Sequence, residues 1–442
     1  MPRLRYHGWL VMLGCIACQM DLGFAKDAMD VYMTYIVAEF GWGRADFQIA
    51  GWALLASLSA MSPAIGFLLD RFGARLVLTL GALCLGATFA GYAAMTSFTH
   101  YLLLAPLLGI GFVTMGDIPA STIVARWFER HRGTVIGIVL IGSNIGAAIV
   151  NLLAKGLYRG FGDAWRPAVL TLGLVMVILV LPFSLWVIRN PRRDEAPADE
   201  RPPDSVPDPD HRATDLAGGA PDRSLGVRQT FATGRYWIIA FALFAYYFYY
   251  LFVNRHIIAL LRDHDSFGYR VPAILVGAVG VAAADFPEFT KSMFELIGLP
   301  AKLAAGYLVD RYRVRHALAW NFVLLAAGSA LLPFPGSTSG VMWMFIAAHG
   351  IGWAAQQVLT PMAIASCFGL RHMGQIYGTL MIVLFPAHVS PWYAGRIFDL
   401  TGSYATFFPV PIALNFLAAA GLFLVDRPRR VTRAAGTPTP AP

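Results

Sequence analysis

The sequence predicts an all-α integral membrane protein, with twelve transmembrane helices in two pseudo-symmetric six-helix halves. Composition is the first observation: 57% of the 442 residues are hydrophobic and 14% charged, with a mean hydropathy of +0.58, far from the make-up of soluble domains. Spacing is the second. A bilayer-spanning helix takes about 20 mainly apolar residues, and the chain offers twelve such stretches separated by short polar joints. The third is a single long polar segment that divides the twelve stretches six and six.

The apolar stretches of the first half fall near residues 8–36, 46–69, 76–96, 101–125, 133–157 and 165–188. The basic tip and apolar run of the start resemble a signal peptide, but the run continues into a polar helix and reads as the first membrane helix. From Arg189 to Arg228 stand seven prolines, seven arginines and nine acidic residues, a composition that packs no core and forms a flexible linker. The second half carries stretches near 236–261, 272–309, 317–333, 340–366, 375–397 and 405–425. The expected organisation is therefore a half over 1–188, a linker over 189–235, a half over 236–428 and a tail over 429–442.

Net charge is +8, but the arginines sit in the joints, where they set orientation rather than hold a nucleic acid. Alternate joints and both tails, linker excluded, hold fifteen arginines, among them Arg71, Arg75, Arg126, Arg311 and Arg371; the other joints hold five, Arg44, Arg159, Arg166, Arg262 and Arg270. A multi-pass protein of the cell membrane with both termini cytoplasmic is expected, its functional unit a monomer. Cys15, Cys18, Cys84 and Cys367 fall inside apolar stretches, so they read as small buried hydrophobes. No metal cluster and no cofactor is called for.

The joint after the second stretch runs Gly66, Phe67, Leu68, Leu69, Asp70, Arg71, Phe72, Gly73, Ala74, Arg75. The joint after the eighth runs Gly306, Tyr307, Leu308, Val309, Asp310, Arg311, Tyr312, Arg313, Val314, Arg315. Glycine lets helices approach, Asp beside Arg can pair with a neighbouring helix end, and the basic residues anchor the turn. This twice-repeated GxxxDRxGxR pattern closely resembles the major facilitator superfamily, with Arg313 replacing the second glycine and implying a looser turn there. The Gly109–Gly111 pair before Pro119, the Arg126–Gly133 run, Pro361 with Phe368–Gly378, and Phe398–Tyr404 look like the monocarboxylate transporter and oxalate:formate antiporter branch. The resemblance implies the major facilitator fold and a secondary carrier.

Ionisable groups in a membrane span are costly and normally face a cavity or a partner. All four lysines, Lys26, Lys155, Lys291 and Lys302, lie in or at the ends of spans; Lys155 reads as snorkelling to a helix end. Lys291, Glu295 and Lys302, at separations of four and seven, share one stripe of the eighth stretch, suited to bind an anion and hold a proton; an internal salt bridge is the plain alternative. Position 302 matches where the resembling family places its substrate-binding arginine, and Glu295, a turn before Gly298, replaces the family's paired aspartate. In the first stretch, Lys26 lies within one residue of a lysine that resembling carriers use on the outer side of the site, Asp27 taking that place in an ungapped match; Lys26 and Asp30 are spaced to pair, and Asp21 lies deeper as a proton-carrying candidate. His388 in the eleventh stretch is a titratable alternative, equally readable as a core histidine. Tyr247, within the Tyr246–Tyr250 run, and Gln356 complete the substrate-binding candidates, with Asp117, Asn144, Asn151, His349 and Gln357 as further polar residues in spans. The long segment 263–288 suggests an irregular outer stretch.

These features predict transport of a small organic anion, a monocarboxylate such as a 2-hydroxy or 2-oxo acid, with a proton by alternating access. The small carboxylate, the proton and the lipid bilayer are the expected partners. Anion exchange of the oxalate:formate type is the main alternative, and proton-driven export of lipophilic cations a third. No HExxH, GxSxG or nucleotide-binding motif appears, so no enzyme is expected.

Overall fold

The computed structural model describes residues 7–191 apart from 43 and 130, and residues 225–262, 286–331 and 339–424. In the first half α1 spans His7–Phe40, α2 Arg44–Phe72, α3 Ala74–Ala94, α4 Phe98–Met115, α5 Asp117–Trp127, α6 Arg132–Gly160 and α7 Trp165–Pro182, the last closing in a wider π turn over Phe183–Val187. A short α8, Val227–Phe231, precedes α9, Gly234–Arg262; then come α10, Phe286–Arg311, α11, Val314–Leu331, and α12, Ser339–Phe368. The segments α13, Met373–Leu380, α14, Leu384–Ala387, and α15, Val389–Thr401, share one broken path, and α16 covers Pro409–Leu424.

Each of the twelve apolar stretches holds at least one of these helices. Among the described residues nine stretches are long and apolar enough to cross a membrane, and Pro409–Phe423 is a shorter apolar helix. Their outward faces stay apolar, with Leu103, Ile178 and Trp186 exposed, as a lipid-facing surface requires. The pairing of helices repeats between halves: α2 on α4 and α3 on α7 in the first correspond to α10 on α12 and α11 on α16 in the second.

Among the described residues two apolar stretches are broken. The fourth breaks at Gly116, which adopts extended backbone between α4 and α5, so Asp117 begins α5 at membrane depth. A side chain at Gly116 would stand 2.6 Å from the Phe112 carbonyl oxygen, which reserves the break for glycine. The eleventh breaks around a 3-10 turn at Met381–Val383 and again at His388, beside Pro386 and Pro391, which remove backbone donors.

The repeated joints clasp one half to the other at one end of the molecule. Asp70 accepts hydrogen bonds from the backbone N–H of Gly374 (3.2 Å) and Gln375 (2.8 Å) in the first turn of α13, and from Arg126 at 2.7 Å. Asp310 accepts from the N–H of Gly133 (2.6 Å) and Thr134 (2.8 Å) and from the Thr134 hydroxyl (2.7 Å) in the first turn of α6. Helix starts carry unpaired N–H groups and a partial positive charge, which these carboxylates satisfy. Gly66 lies against Gly374, and Gly306 against Gly133, so closely that a Cβ on Gly66 or Gly306 would fall within 2.4 Å of the opposing carbonyl oxygen.

Gly73 turns α2 into α3 with φ +85°, a conformation that favours glycine. At the second joint, where Arg313 replaces that glycine, the turn takes two residues, Tyr312 and Arg313, neither with positive φ. Arg71 packs over Phe67 and Phe72, Arg75 reaches the Ile188 carbonyl at 3.5 Å, and Arg311 lies 4.3 Å from the Tyr307 ring centre.

At the other end, Glu39 accepts hydrogen bonds from Trp165 (2.5 Å) and Arg166 (2.7 Å), and Arg166 also donates to the carbonyls of Ala93 and Met95. The Arg166 hydrogen bond holds the Glu39 carboxyl below its ordinary value. A carboxyl lowered on folding adds stability above its ordinary range and loses it as pH falls through the folded value. Both partners are substantially exposed, so the contribution is small. Glu39→Gln should lower the melting temperature by about 1 °C at neutral pH, the gap from the parent closing below about pH 4; a gap that widens on acidification would show the sign to be wrong.

The linker residues 192–224 and most of segment 263–288 lie outside the described residues.

Candidate functional site

The site forms where α6 and α10 cross. Gly133 and Gly137 on α6 and Gly306 on α10 bring the two backbones together; a Cβ on Gly137 would stand 2.6 Å from the Lys302 carbonyl oxygen. Lys302 is therefore carried into the contact between halves, with no exposed surface. Its ammonium donates to the Leu140 carbonyl at 2.9 Å and to Asn144 Oδ1 at 2.5 Å, and lies 5.6 Å from the Trp353 ring centre on α12. An ammonium has three donors, and among the described residues two of them are taken by these oxygens.

Asn144 continues the chain. Its Nδ2 donates to Glu295 Oε2 at 2.6 Å, and Glu295 Oε1 stands 3.8 Å from Lys26 Nζ on α1. The amide has one satisfying orientation, because an ammonium needs its oxygen and a carboxylate its N–H. Lys302, Asn144, Glu295 and Lys26 thus form a polar chain through α10, α6 and α1, buried at the first and 46% exposed at each of the last two.

Asp117, opening α5, lies within electrostatic reach of Lys302 and Lys26. Tyr246, Tyr247 and Tyr377 are near enough to feel its charge, and Tyr250 that of Lys26 and Glu295. Tyr250 stacks on Tyr246 at 5.7 Å and on Trp353 at 6.2 Å, making one aromatic wall. Tyr247 donates to the Met381 sulfur at 3.5 Å, where the eleventh stretch is broken.

The sequence pattern of the Major Facilitator Superfamily matches residues 15–389. The chain belongs to the major facilitator superfamily. Its relatives include the MFS-type transporter YcxA of Bacillus subtilis, itself uncharacterized, 20% identical with 95% of this chain and 94% of that one covered. Mouse monocarboxylate transporter 12 is 23% identical over 98% of this chain and 88% of its own, and rat monocarboxylate transporter 3 is 25% identical over 94% and 79%. Among solved structures, FucP in the outward conformation superposes with a TM-score of 0.64 at 14% identity over 93% of this chain and 98% of its own. The human organic anion transporter MFSD10 (TETRAN) gives 0.62 at 16% identity over 96% and 100%. Membership makes this superfamily chain a membrane transporter, not an enzyme, similar to the monocarboxylate branch.

The remaining candidates occupy other places in this major facilitator fold. The side chains of Lys291 and Asp30 lie outside the described residues. Asp27 is half-buried on α1. Asp21 is fully buried, and among the described residues neither carboxyl oxygen has a hydrogen-bond partner. Gln356 uses both ends of its amide inside the second half, donating to Thr360 at 3.1 Å and accepting from Asn321 at 2.9 Å. His349 is likewise buried and bonded to Tyr249 at 2.9 Å.

His388 sits at the second break of the α13–α15 path, its Nδ1 2.6 Å from the Leu384 carbonyl, its ring 6.1 Å from Trp52 of α2, and Arg255 its charged neighbour. It joins the halves at a different point from Lys302. Asn144 and Asp117 stood out in the sequence only as polar residues in spans. Their signals were an asparagine amid the small residues Gly142, Ser143 and Gly146, and an aspartate wedged between Gly116 and Pro119.

Proposed function

We propose that the chain carries a small monocarboxylate, a short 2-hydroxy or 2-oxo acid, across the cell membrane together with a proton by alternating access. It does so as a monomer of twelve spans with both termini and the linker cytoplasmic. The observation that carries this reading is the hydrogen-bonded run from Lys302 through Asn144 to Glu295. A buried ammonium needs an anionic partner, and here the amide shares it with an acid seven residues along the same helix. A carboxylate arriving at Lys302 competes with Asn144 Oδ1 for the ammonium; the freed amide changes the hydrogen bonding of Glu295, so anion binding and protonation become linked. The likeness to monocarboxylate transporters supports the same substrate class.

Protein reconstituted in vesicles should take up labelled lactate faster under an inward-directed proton gradient and should fail to accumulate it once a protonophore is added. Two site lysines, Lys26 and Lys302, favour a second reading, exchange of one anion for another. Uptake that ignores the protonophore and instead requires an anion inside the vesicle would select that reading.

A further inference from the structure

Three rings stand in line beside Lys302. The indole of Trp353 lies 5.6 Å from the ammonium; Tyr250 is within 3° of parallel to that indole at 6.2 Å, and Tyr246 within 12° of parallel to Tyr250 at 5.7 Å. Neighbours fix two of them. Asn254 donates to the Tyr250 hydroxyl at 2.8 Å, and Trp353 rests on Gly298, where a Cβ would stand 3.0 Å from the indole Cζ3. Gly298 precedes Lys302 by four residues, one turn of α10, so the glycine seats the indole beside the lysine.

The side from which a carboxylate reaches Lys302 follows from the oxygens already there. The Leu140 carbonyl and Asn144 Oδ1 both belong to α6, and an anion approaching on that side meets acceptors rather than donors. Trp353 stands on α12, with Tyr250 of α9 next to it. An anion that takes the ammonium from this second side lays the rest of its molecule along the rings. Tyr250 is half-buried rather than sealed in its own packing.

Such a row favours a flat π system. Aromatic pairs attract beyond the area they bury, by about two- to tenfold in affinity. A saturated ring of the same size gains the burial without the stacking, and the methyl group of a short acid gains little of either.

Resting on the reading of Lys302 as the anion anchor, we propose that Trp353 and Tyr250 form an aryl subsite, so that the preferred substrates are carboxylates with an aromatic ring a few bonds from the carboxyl group. Among the 2-hydroxy acids this selects 3-phenyllactate over lactate.

The test is calorimetric titration of the purified full-length protein with L-lactate, L-3-phenyllactate and L-3-cyclohexyllactate. The parent should bind phenyllactate at least about tenfold more tightly than lactate and at least about threefold more tightly than the cyclohexyl acid. The cyclohexyl acid is the more lipophilic of the two, so partition into detergent would give the opposite order. In Tyr250→Leu the preference for phenyl over cyclohexyl should fall to about unity. Trp353→Leu should move the same way and serves if the first variant does not fold. Labelled phenyllactate should also exchange across vesicles; tight binding without exchange overturns its standing as a substrate. A parent that binds the two ring-bearing acids alike, or two variants that keep the full preference, overturns the aryl subsite while leaving the anchor intact. Failure to bind any of the three acids, or parental affinity in Lys302→Ala, overturns the anchor, and the subsite falls with it.

Discussion

Lys302→Ala should weaken carboxylate binding by at least about a hundredfold, since a charge-assisted hydrogen bond contributes about 1.5–3 kcal/mol and the ammonium's attraction for the anion is lost with it. The protein should stay folded. The substitution strands the Leu140 carbonyl and Asn144 Oδ1, but it also relieves the cost of holding a bare ammonium away from water, and these effects oppose one another. Lys302→Arg keeps the charge but replaces a compact ammonium with a planar fork, too broad for a pocket where Asn144 stands at 2.5 Å; binding should be partly restored. Calorimetric titration with lactate, beside a melting curve of the solubilised protein, separates lost affinity from lost fold. Near-parental affinity in the alanine variant would remove Lys302 from the site.

Glu295→Gln should split transport in two. Glutamine keeps an oxygen for the Asn144 amide, so the hydrogen-bonded run to Lys302 is retained, and exchange of labelled for unlabelled lactate across vesicles should continue. It cannot carry a proton, and it gives up the charge that faces Lys26 at 3.8 Å. Proton-driven accumulation should therefore fall to the level set by simple equilibration. His388→Ala should be milder, because His388 meets Arg255 and Trp52 rather than the lysines of the site. Accumulation that survives Glu295→Gln and disappears in His388→Ala would reverse the two roles.

The helical stretches and the paired joints were legible in the sequence because each is local: hydropathy and a ten-residue motif carry them without knowledge of neighbours. Lys302 was legible because a lysine is so rarely tolerated in a span. Its bridge to Glu295 was not, because Asn144 lies 158 residues from Lys302 and 151 from Glu295 in the chain, and nothing local marks which of several asparagines meets α10. Gln356 shows the converse. Its polarity within a span fitted either a cavity or a bond between helices, and Asn321 on the adjacent helix donates to its oxygen; hydropathy alone does not tell a helix-to-helix bond from a wet face. The breaks at Gly116 and His388 were hidden because proline and glycine recur throughout these spans, and only packing decides where they interrupt the helix.

The glycine contacts at the clasped end also bear on how the contact between the halves responds to temperature. Where Gly66 meets Gly374 and Gly133 meets Gly306, backbone lies on backbone, so parting these surfaces wets peptide groups in place of the hydrocarbon that a leucine seam would expose. Hydrated hydrocarbon raises heat capacity, whereas hydrated peptide lowers it. If the halves part at this end, as alternating access requires, the backbone share of the seam adds little to the heat-capacity change of opening. A seam closed by apolar side chains alone would loosen on cooling as the hydrophobic drive fades; glycine backbones and two aspartate clasps, set beside Leu69 and Val309, would temper that loosening.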